Sequence, residues 1–181
     1  MMPPLRLVAA AATLVVLAPA AARAQKDLAS CQPLVDAMAK GATVPSHAYV
    51  TATTGLSRET PRSSELITTG GVSYVMTNGT WRRSPITPAA LQRQARENLS
   101  DAKVLTCRHV RDDVVDGTAA TVYRVHSVSE VTEDGEIWIA RGTGLMLRAD
   151  LNVDTGDGAA TASHIATRYV YTGVRAPADV R

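Results

Sequence analysis

A series of short segments in which apolar and polar residues alternate is the feature that most constrains the fold. The segments lie at 47–54, 65–69, 71–77, 80–84, 104–110, 118–128, 136–140, 145–153 and 160–171. Turn-forming sequences separate them, so that a new strand begins roughly every 8 to 12 residues. Strands joined by short turns pair antiparallel, whereas parallel strands need long crossover connections. The pattern therefore predicts an antiparallel sheet or barrel.

Glycine-containing turns are expected at four places: 78–79, 134–135, 141–144 and 156–158. The pair Asn78-Gly79 is the clearest, because both residues tolerate the positive φ that a two-residue hairpin requires. The pair Asp134-Gly135 is interpreted in the same way, as a turn that leads into the strand 136–140.

Two segments have helical periodicity instead. In 27–40 the apolar residues Leu28, Cys31, Leu34, Val35 and Met38 recur at helical spacing, and Gly41 is the expected stop. A second helix is predicted after Thr87, which can cap it, with Pro88 at its first position. Its apolar side is formed by Leu91, Ala95 and Leu99, and its solvated side by Gln92, Arg93, Arg96 and Glu97. Two helices with one antiparallel sheet define an α+β fold.

Residues 1–24 have the order of a secretory signal peptide. Arg6 precedes a largely apolar stretch at 7–17, and small residues end the segment at Ala22-Arg23-Ala24. The apolar stretch is 11 residues long, whereas a transmembrane helix needs about 20. We therefore expect cleavage after Ala24, a periplasmic location, no transmembrane segment in the processed chain, and a single domain at 25–181.

Removal of this peptide also removes the net charge. The whole chain has 19 basic and 17 acidic residues, and Arg6 and Arg23 leave with the peptide. A neutral domain exerts no general attraction on nucleic acid or on anionic membranes. We therefore expect no nucleic-acid partner.

Cys31 and Cys107 are the two cysteines of the chain. In an exported protein they favour a disulfide, which would stabilise the fold by roughly 4.5 kcal/mol at most on the chain-entropy model. Lipid attachment at Cys31 is an alternative, because residues 28–31 resemble a lipobox. The charged residues Arg23, Lys26 and Asp27 between the apolar stretch and Cys31 argue against it, and two free thiols are the third alternative.

The sequence contains no convincing catalytic or metal-binding constellation. The four histidines do not have metal-ligand spacing with one another or with other ligands: His47, His109, His126 and His164. Residues 150–156 resemble the start of a calcium loop, but the glycine is one position late and Thr161 occupies the place of the bidentate glutamate. A serine-nucleophile elbow and a phosphate-binding glycine loop are also missing. We therefore expect a protein that is not an enzyme and has no catalytic residues, metal or cofactor.

The second half of the chain resembles the lipoprotein-carrier (LolA-like) superfamily. The resemblance rests on 136–148, with its Ile-Trp-Ile-Ala-Arg-Gly-Thr-Gly-Leu core, followed by Tyr169-Val-Tyr171. Earlier pieces fit the same order: 47–50, Tyr74, 79–81 and Tyr123. The group includes periplasmic lipoprotein carriers and sensor domains of envelope-stress regulators. The resemblance implies a strongly curved antiparallel sheet, an incomplete β-barrel with two helices on or near its concave face.

By this resemblance the hollow between sheet and helices would hold acyl chains or another apolar ligand. The residues expected to line it are Tyr74, Trp81, Tyr123, Trp138, Leu145 and Met146, unless they simply pack the core. The chain has no Phe and only 4% aromatic residues, which favours a narrow or filled interior, because a wide cavity needs bulky apolar walls.

Two functions are therefore compared. The first is a non-enzymatic periplasmic binding protein, a monomer, that holds a lipid or a lipid-modified partner such as a lipoprotein. The alternative is a cell-envelope sensor or protein-interaction module with a filled interior. A cavity of several hundred cubic ångströms favours the first, and an exposed apolar patch on an envelope-protein docking surface favours the second.

Overall fold

The computed structural model describes residues 27–55, 61–156 and 162–180, so the expected signal peptide lies outside the described residues. Within these ranges the chain forms two helices and nine strands. They are α1 (Gln32–Gly41), β1 (Ser46–Thr54), β2 (Arg62–Thr69), β3 (Val72–Thr77), β4 (Thr80–Arg83), α2 (Pro88–Asp101), β5 (Val104–Val115), β6 (Thr118–Val128), β7 (Thr132–Ala140), β8 (Met146–Asp154) and β9 (Ser163–Val170).

All nine strands belong to one antiparallel sheet in the order β4-β3-β2-β1-β9-β8-β7-β6-β5. The edge strands β4 and β5 do not pair with each other, so the sheet is open. This arrangement confirms the predicted α+β fold with an incomplete barrel. Neither α1 nor α2, the helices of the described residues, is long and apolar enough to cross a membrane.

Pairs of residues in the left-handed region close three two-residue hairpins, and in the β2–β3 hairpin the pair is Gly70 and Gly71, with φ values of 58° and 76°. Asn78 and Gly79 have φ values of 52° and 73°, which confirms the predicted β3–β4 hairpin. Asp116 and Gly117, with φ values of 49° and 78°, close the β5–β6 hairpin, a turn that was not predicted from the sequence. Because this turn comes late, β5 continues to Val115 instead of ending at residue 110.

The predicted turn at Asp134-Gly135 is wrong. Both residues lie inside β7, where Gly135 pairs with Val125 on one side and Leu151 on the other. Glycine is needed at position 135 because the backbone of β8 passes too close to leave room for a side chain. A Cβ on Gly135 would lie 2.0 Å from the backbone oxygen of Asp150. Glycine in a strand thus marks a close backbone approach here rather than a reversal of the chain.

One face of the sheet is covered by the helices and is called the helix face below. It contains an apolar cluster in which α1 and the strands interlock: Cys31, Leu34, Ala37, Ala102, Leu105, Cys107, Val125, Ile137, Ile139 and Ala149. The Cys31–Cys107 disulfide lies inside this cluster and joins the start of α1 to β5. The predicted disulfide is therefore confirmed, and the Cys31 sulfur is not free for lipid attachment.

The first helix begins at Gln32 rather than at residue 27. Residues 28–31 form a turn, and Pro33 occupies the first turn of the helix, where a missing N–H is tolerated. Leu34 and Ala37 of α1 are buried against the sheet.

The second helix is held more loosely. As predicted, the Thr87 hydroxyl oxygen caps it by accepting a hydrogen bond from the Ala90 N–H at 3.2 Å, and Pro88 follows the cap. None of the α2 residues is buried, and Leu99 is the α2 side chain that packs against the apolar cluster. Both helices therefore cover the same face of the sheet, but α1 buries side chains against it and α2 does not.

We expect Gly135→Ala to lower the free energy of unfolding by about 3 kcal/mol, because β7 and β8 would have to separate to admit the methyl group. Urea denaturation measures this difference. The matched control is Gly142→Ala, where the added Cβ meets no atom within 4 Å. Equal stabilities of the two variants would contradict the close approach of β8 to Gly135.

Candidate binding cleft

A cleft of about 200 Å³ opens on the helix face between α1, the first turns of α2 and the sheet. Its apolar walls come from both helices and from β8, and include Met38, Gly41, Pro88, Leu91 and Met146. Its polar groups are contributed by Ser46, Thr68, Gln92, Tyr169 and Tyr171. The cleft is thus mainly apolar, with hydroxyl and amide groups at a few places.

The α2 helix, which forms the roof of the cleft, is the weakly packed part of the fold. Leu91 and Gln92 of α2 line the cleft, and they are half-buried in a helix that has no buried residue. Elements with few buried apolar contacts open locally at low free energy. The α2 helix can therefore move away from the sheet more easily than α1, which is joined to β5 by the disulfide.

Two stacked tyrosines form part of the cleft floor. The rings of Tyr169 and Tyr171 are 6.4 Å apart, and the Tyr171 hydroxyl donates a hydrogen bond to the Met146 carbonyl oxygen at 2.7 Å. Burial raises the pKa of both phenols, so both remain neutral. Within the described residues the Tyr169 hydroxyl makes no hydrogen bond, so it is available to a polar group that enters the cleft.

The six residues expected to line a hollow are not brought together. Met146 lines the cleft. Tyr123 lies on the helix face and packs against the apolar cluster, and Leu145, 9% exposed, precedes β8. The other three are Tyr74, Trp81 and Trp138.

These three aromatic residues lie on the surface of the sheet away from the helices, called the opposite face below. A continuous row of paired residues places Trp138 and Trp81 on this same face: Trp138, Arg148, Arg168, Tyr49, Glu65, Met76 and Trp81. Tyr74 lies two residues from Met76 in β3 and therefore shares the face. Sequence alternation separates the two faces of a strand but does not tell which face the helices cover.

The cleft residues that were not predicted from the sequence to line a hollow come mainly from α1, from the start of α2 and from the end of β9. Ala37, Met38 and Gly41 line the cleft from α1. Of these, Met38 was predicted only as part of the buried side of the helix, and Gly41 only as its stop. Tyr169 and Tyr171 were part of the LolA-like resemblance, and their separation of two residues places them on one side of an extended chain. That spacing was the one feature of the sequence that indicated a site shared by the two tyrosines.

On the opposite face, Trp138 is packed between charged side chains. The guanidinium carbon of Arg148 lies 4.7 Å from the centroid of the indole ring, and that of Arg111 lies 5.8 Å away. The indole N–H donates to Asp113 Oδ2 at 2.9 Å. With 5% of its surface exposed, Trp138 offers no open ring face to a ligand.

Carboxylates on this face are stabilised in their charged form. Glu136 accepts hydrogen bonds from Arg111 at 2.8 and 3.1 Å and from Arg124 at 3.1 Å. These hydrogen bonds lower the pKa of Glu136, and the one from Arg111 has the largest effect. Hydrogen bonds also lower the pKa of Asp113. The bond from the Trp138 indole N–H has the largest effect, and the bond from the Val114 N–H the next largest.

The histidines take part in pairwise contacts. His47 Nε2 lies 2.6 Å from Glu65 Oε2, and His126 Nδ1 lies 2.7 Å from Asp134 Oδ1. Among the described residues no group of three or more His, Cys, Asp or Glu side chains is arranged to hold a metal ion.

No protein-family model and no curated protein matches the sequence. The chain is similar to lipoprotein LppX of Mycobacterium tuberculosis, with 13% identity and a TM-score of 0.48 over 83% of this chain and 100% of that one. It is also similar to MucB, a protein that has been solved with MucA from Pseudomonas aeruginosa, with 16% identity and a TM-score of 0.43 over 84% of this chain and 64% of MucB.

A third similar structure is the LolA superfamily protein NE2245 from Nitrosomonas europaea, with 7% identity and a TM-score of 0.26 over 75% of this chain and 90% of that one. By its name it belongs to the group that the sequence resembles.

Acid is expected to destabilise the fold through Glu136. Its pKa in the folded state is below the usual value near 4.5, so its contribution is complete above that pH and is lost as the pH falls through the lowered pKa. Glu136→Gln should lower the free energy of unfolding at pH 7 by about 1 kcal/mol or less, and should make stability depend less on pH below 4.5. Urea denaturation at a series of pH values measures both effects.

Glu97→Gln is the control for this experiment, because Glu97 is exposed and makes no ion pair among the described residues. It should keep the wild-type dependence of stability on pH. The same dependence in wild type and Glu136→Gln would contradict the stabilising role of the Arg111–Glu136 pair.

Proposed function

We propose that this chain is a non-enzymatic periplasmic binding protein that holds one apolar chain of a small amphiphile or a lipid in the cleft on the helix face. The observation that carries the proposal is an apolar cleft whose roof, α2, has no buried residue. An amphipathic helix gains stability from burying its apolar side. A ligand chain beneath α2 would supply the missing apolar contact.

The size of the cleft limits its occupant. Ligand pockets commonly enclose roughly 300–1,000 Å³, whereas this cleft encloses about 200 Å³. An apolar cavity of about 150 Å³ already accommodates a benzene ring. We therefore propose a single chain or the end of one, rather than the several acyl chains of a complete lipoprotein.

The polar groups of the cleft favour an amphiphile over a pure hydrocarbon. The unbonded Tyr169 hydroxyl and the Gln92 amide lie among the apolar lining residues. Both can donate a hydrogen bond to a carboxyl, ester or phosphate oxygen without adding charge. Because the pKa of Tyr169 is raised, this donor keeps its proton.

A second candidate is an envelope interaction module in which α2 is an adjustable surface and the cleft has no ligand. The small volume of the cleft supports it, because about 200 Å³ lies below the usual range of ligand pockets. Ligand binding in solution distinguishes the two candidates.

Filling the cleft should abolish binding. Gly41 lies at the end of α1, and a Cβ at this position would meet the Tyr171 hydroxyl oxygen at 3.9 Å, an ordinary contact. Gly41→Leu would place its side chain in the cleft. We expect its affinity for a dansyl-labelled fatty acid of medium length to fall at least about tenfold relative to wild type, as measured by fluorescence titration.

The matched control is Gly142→Leu, whose side chain would extend into open space. This variant should bind the probe like the wild type. If the wild type does not bind the probe, or if Gly41→Leu binds it equally well, ligand binding in this cleft is refuted and the second candidate is favoured.

A further inference from the structure

The cleft has a polar end and an apolar end. Thr68 of β2 and Ser46 of β1 are paired residues that line it with hydroxyl groups. Tyr169 of β9 contributes a phenol, and β8 contributes the thioether side chain of Met146. Because these strands are neighbours in the order β2-β1-β9-β8, the lining supplied by the sheet changes from hydroxyl groups to an apolar side chain across the cleft.

The apolar end lies against the apolar cluster of the helix face. Met146 lines the cleft and also packs against this cluster, and Met38 of α1 does the same from the helical side. Ala37, a buried member of the cluster, lines the cleft beside Met38. Met38 and Met146 therefore separate the cleft from the packed interior, and the two side chains are called the methionine wall below.

Methionine is suited to such a position. Its side chain is unbranched, flexible and polarizable, so it fills irregular gaps and adapts to the atoms beside it. Both methionines are half-buried. The backbone of Met146 is held separately, because its carbonyl oxygen accepts the hydrogen bond from the Tyr171 hydroxyl at 2.7 Å. The Met146 side chain can therefore be changed without removing that hydrogen bond.

The dimensions of the cleft restrict the shape of its occupant. Neighbouring strands are about 4.8 Å apart, so the four strands from β2 to β8 span roughly 14 Å. A volume of about 200 Å³ distributed over that width leaves space for the thickness of one alkyl chain. A branched chain, or two chains side by side, would need a wider cleft.

We infer that the cleft takes an unbranched alkyl chain that lies across these four strands and ends against the methionine wall. The polar end of the ligand lies among the hydroxyl groups of β2, β1 and β9. The size of the Met38 and Met146 side chains sets the longest chain that the cleft encloses. This inference rests on the proposed function and adds to it the orientation of the ligand and the residues that limit its length.

Displacement of the dansyl-labelled fatty acid by unlabelled straight-chain acids, from hexanoic to hexadecanoic acid, tests the inference. Affinity for the wild type should rise roughly fourfold with each added methylene group, because each one buries more apolar surface. It should stop rising at the length at which the chain reaches the methionine wall, which is called the length limit below.

Met146→Ala should move the length limit to longer chains. The substitution vacates the space of about three methylene groups at the apolar end, and an apolar cavity of this kind accepts an apolar ligand. We expect a limit longer by about two or three methylene groups, and acids of that length should bind at least about tenfold more tightly than they bind the wild type. Met38→Ala should act in the same direction.

Leu151→Ala is the matched control, because Leu151 lies in the same strand as Met146 and packs against the same cluster but does not line the cleft. It should keep the length limit of the wild type, as should Met146→Leu, which nearly retains the side-chain volume. Tyr169→Phe should weaken the binding of every acid by a similar few-fold factor without changing the limit. Circular dichroism melting should show that each variant is folded.

Failure of this inference differs from failure of the proposed function. If the wild type binds neither the probe nor any of the acids, the proposed function fails and this inference fails with it. If the wild type binds the acids but Met146→Ala and Met38→Ala keep its length limit, the cleft holds a ligand that the methionines do not limit, and this inference alone is overturned. A shifted limit in Leu151→Ala, or unchanged binding by Tyr169→Phe, would overturn it in the same way.

Discussion

The disulfide between Cys31 and Cys107 is the constraint on which the candidate site depends. It joins the start of α1 to the edge strand β5 inside the apolar cluster. Hydrogen bonds from the Asp27 N–H to the Leu105 carbonyl oxygen and from the Cys107 N–H to the Ser30 hydroxyl reinforce the junction. With α1 fixed in this way, one wall of the cleft is rigid, whereas the roof formed by α2 is held mainly through Leu99.

Apolar side chains on the two faces of the sheet are shielded from water in different ways. On the helix face, residues such as Ile137 and Ile139 are removed from water by α1 and the cluster around it. No helix of the described residues covers the opposite face, where Trp138 is buried beneath Arg111 and Arg148. Arginine side chains can cover an apolar ring while their charged ends remain in water and pair with carboxylates. The sheet therefore presents one face to solvent, while the helices cover the other.

The sequence predicted the fold better than it predicted the site. Asn78-Gly79 and Thr87 act locally, through φ preference and helix capping, so their structures followed from their residue types. Gly135 was predicted to lie in a turn, but glycine is required there because β8 passes close to it. That is a tertiary contact, which the local sequence does not reveal. Likewise, Trp138 and Met146 were both assigned to the hollow, although the bulge between Trp138 and Ile139 and the position of the helices place only Met146 there.

Hydrogen exchange at the amides of α2 tests the central claim, that this helix is a loose roof over a site for an apolar chain. In the ligand-free protein, α2 amides should exchange faster than those of the central strand β7, and they should become slower when a dansyl-labelled fatty acid is added. Protection of α2 equal to that of β7, with no change on addition of the fatty acid, would show a closed helical layer and contradict the account.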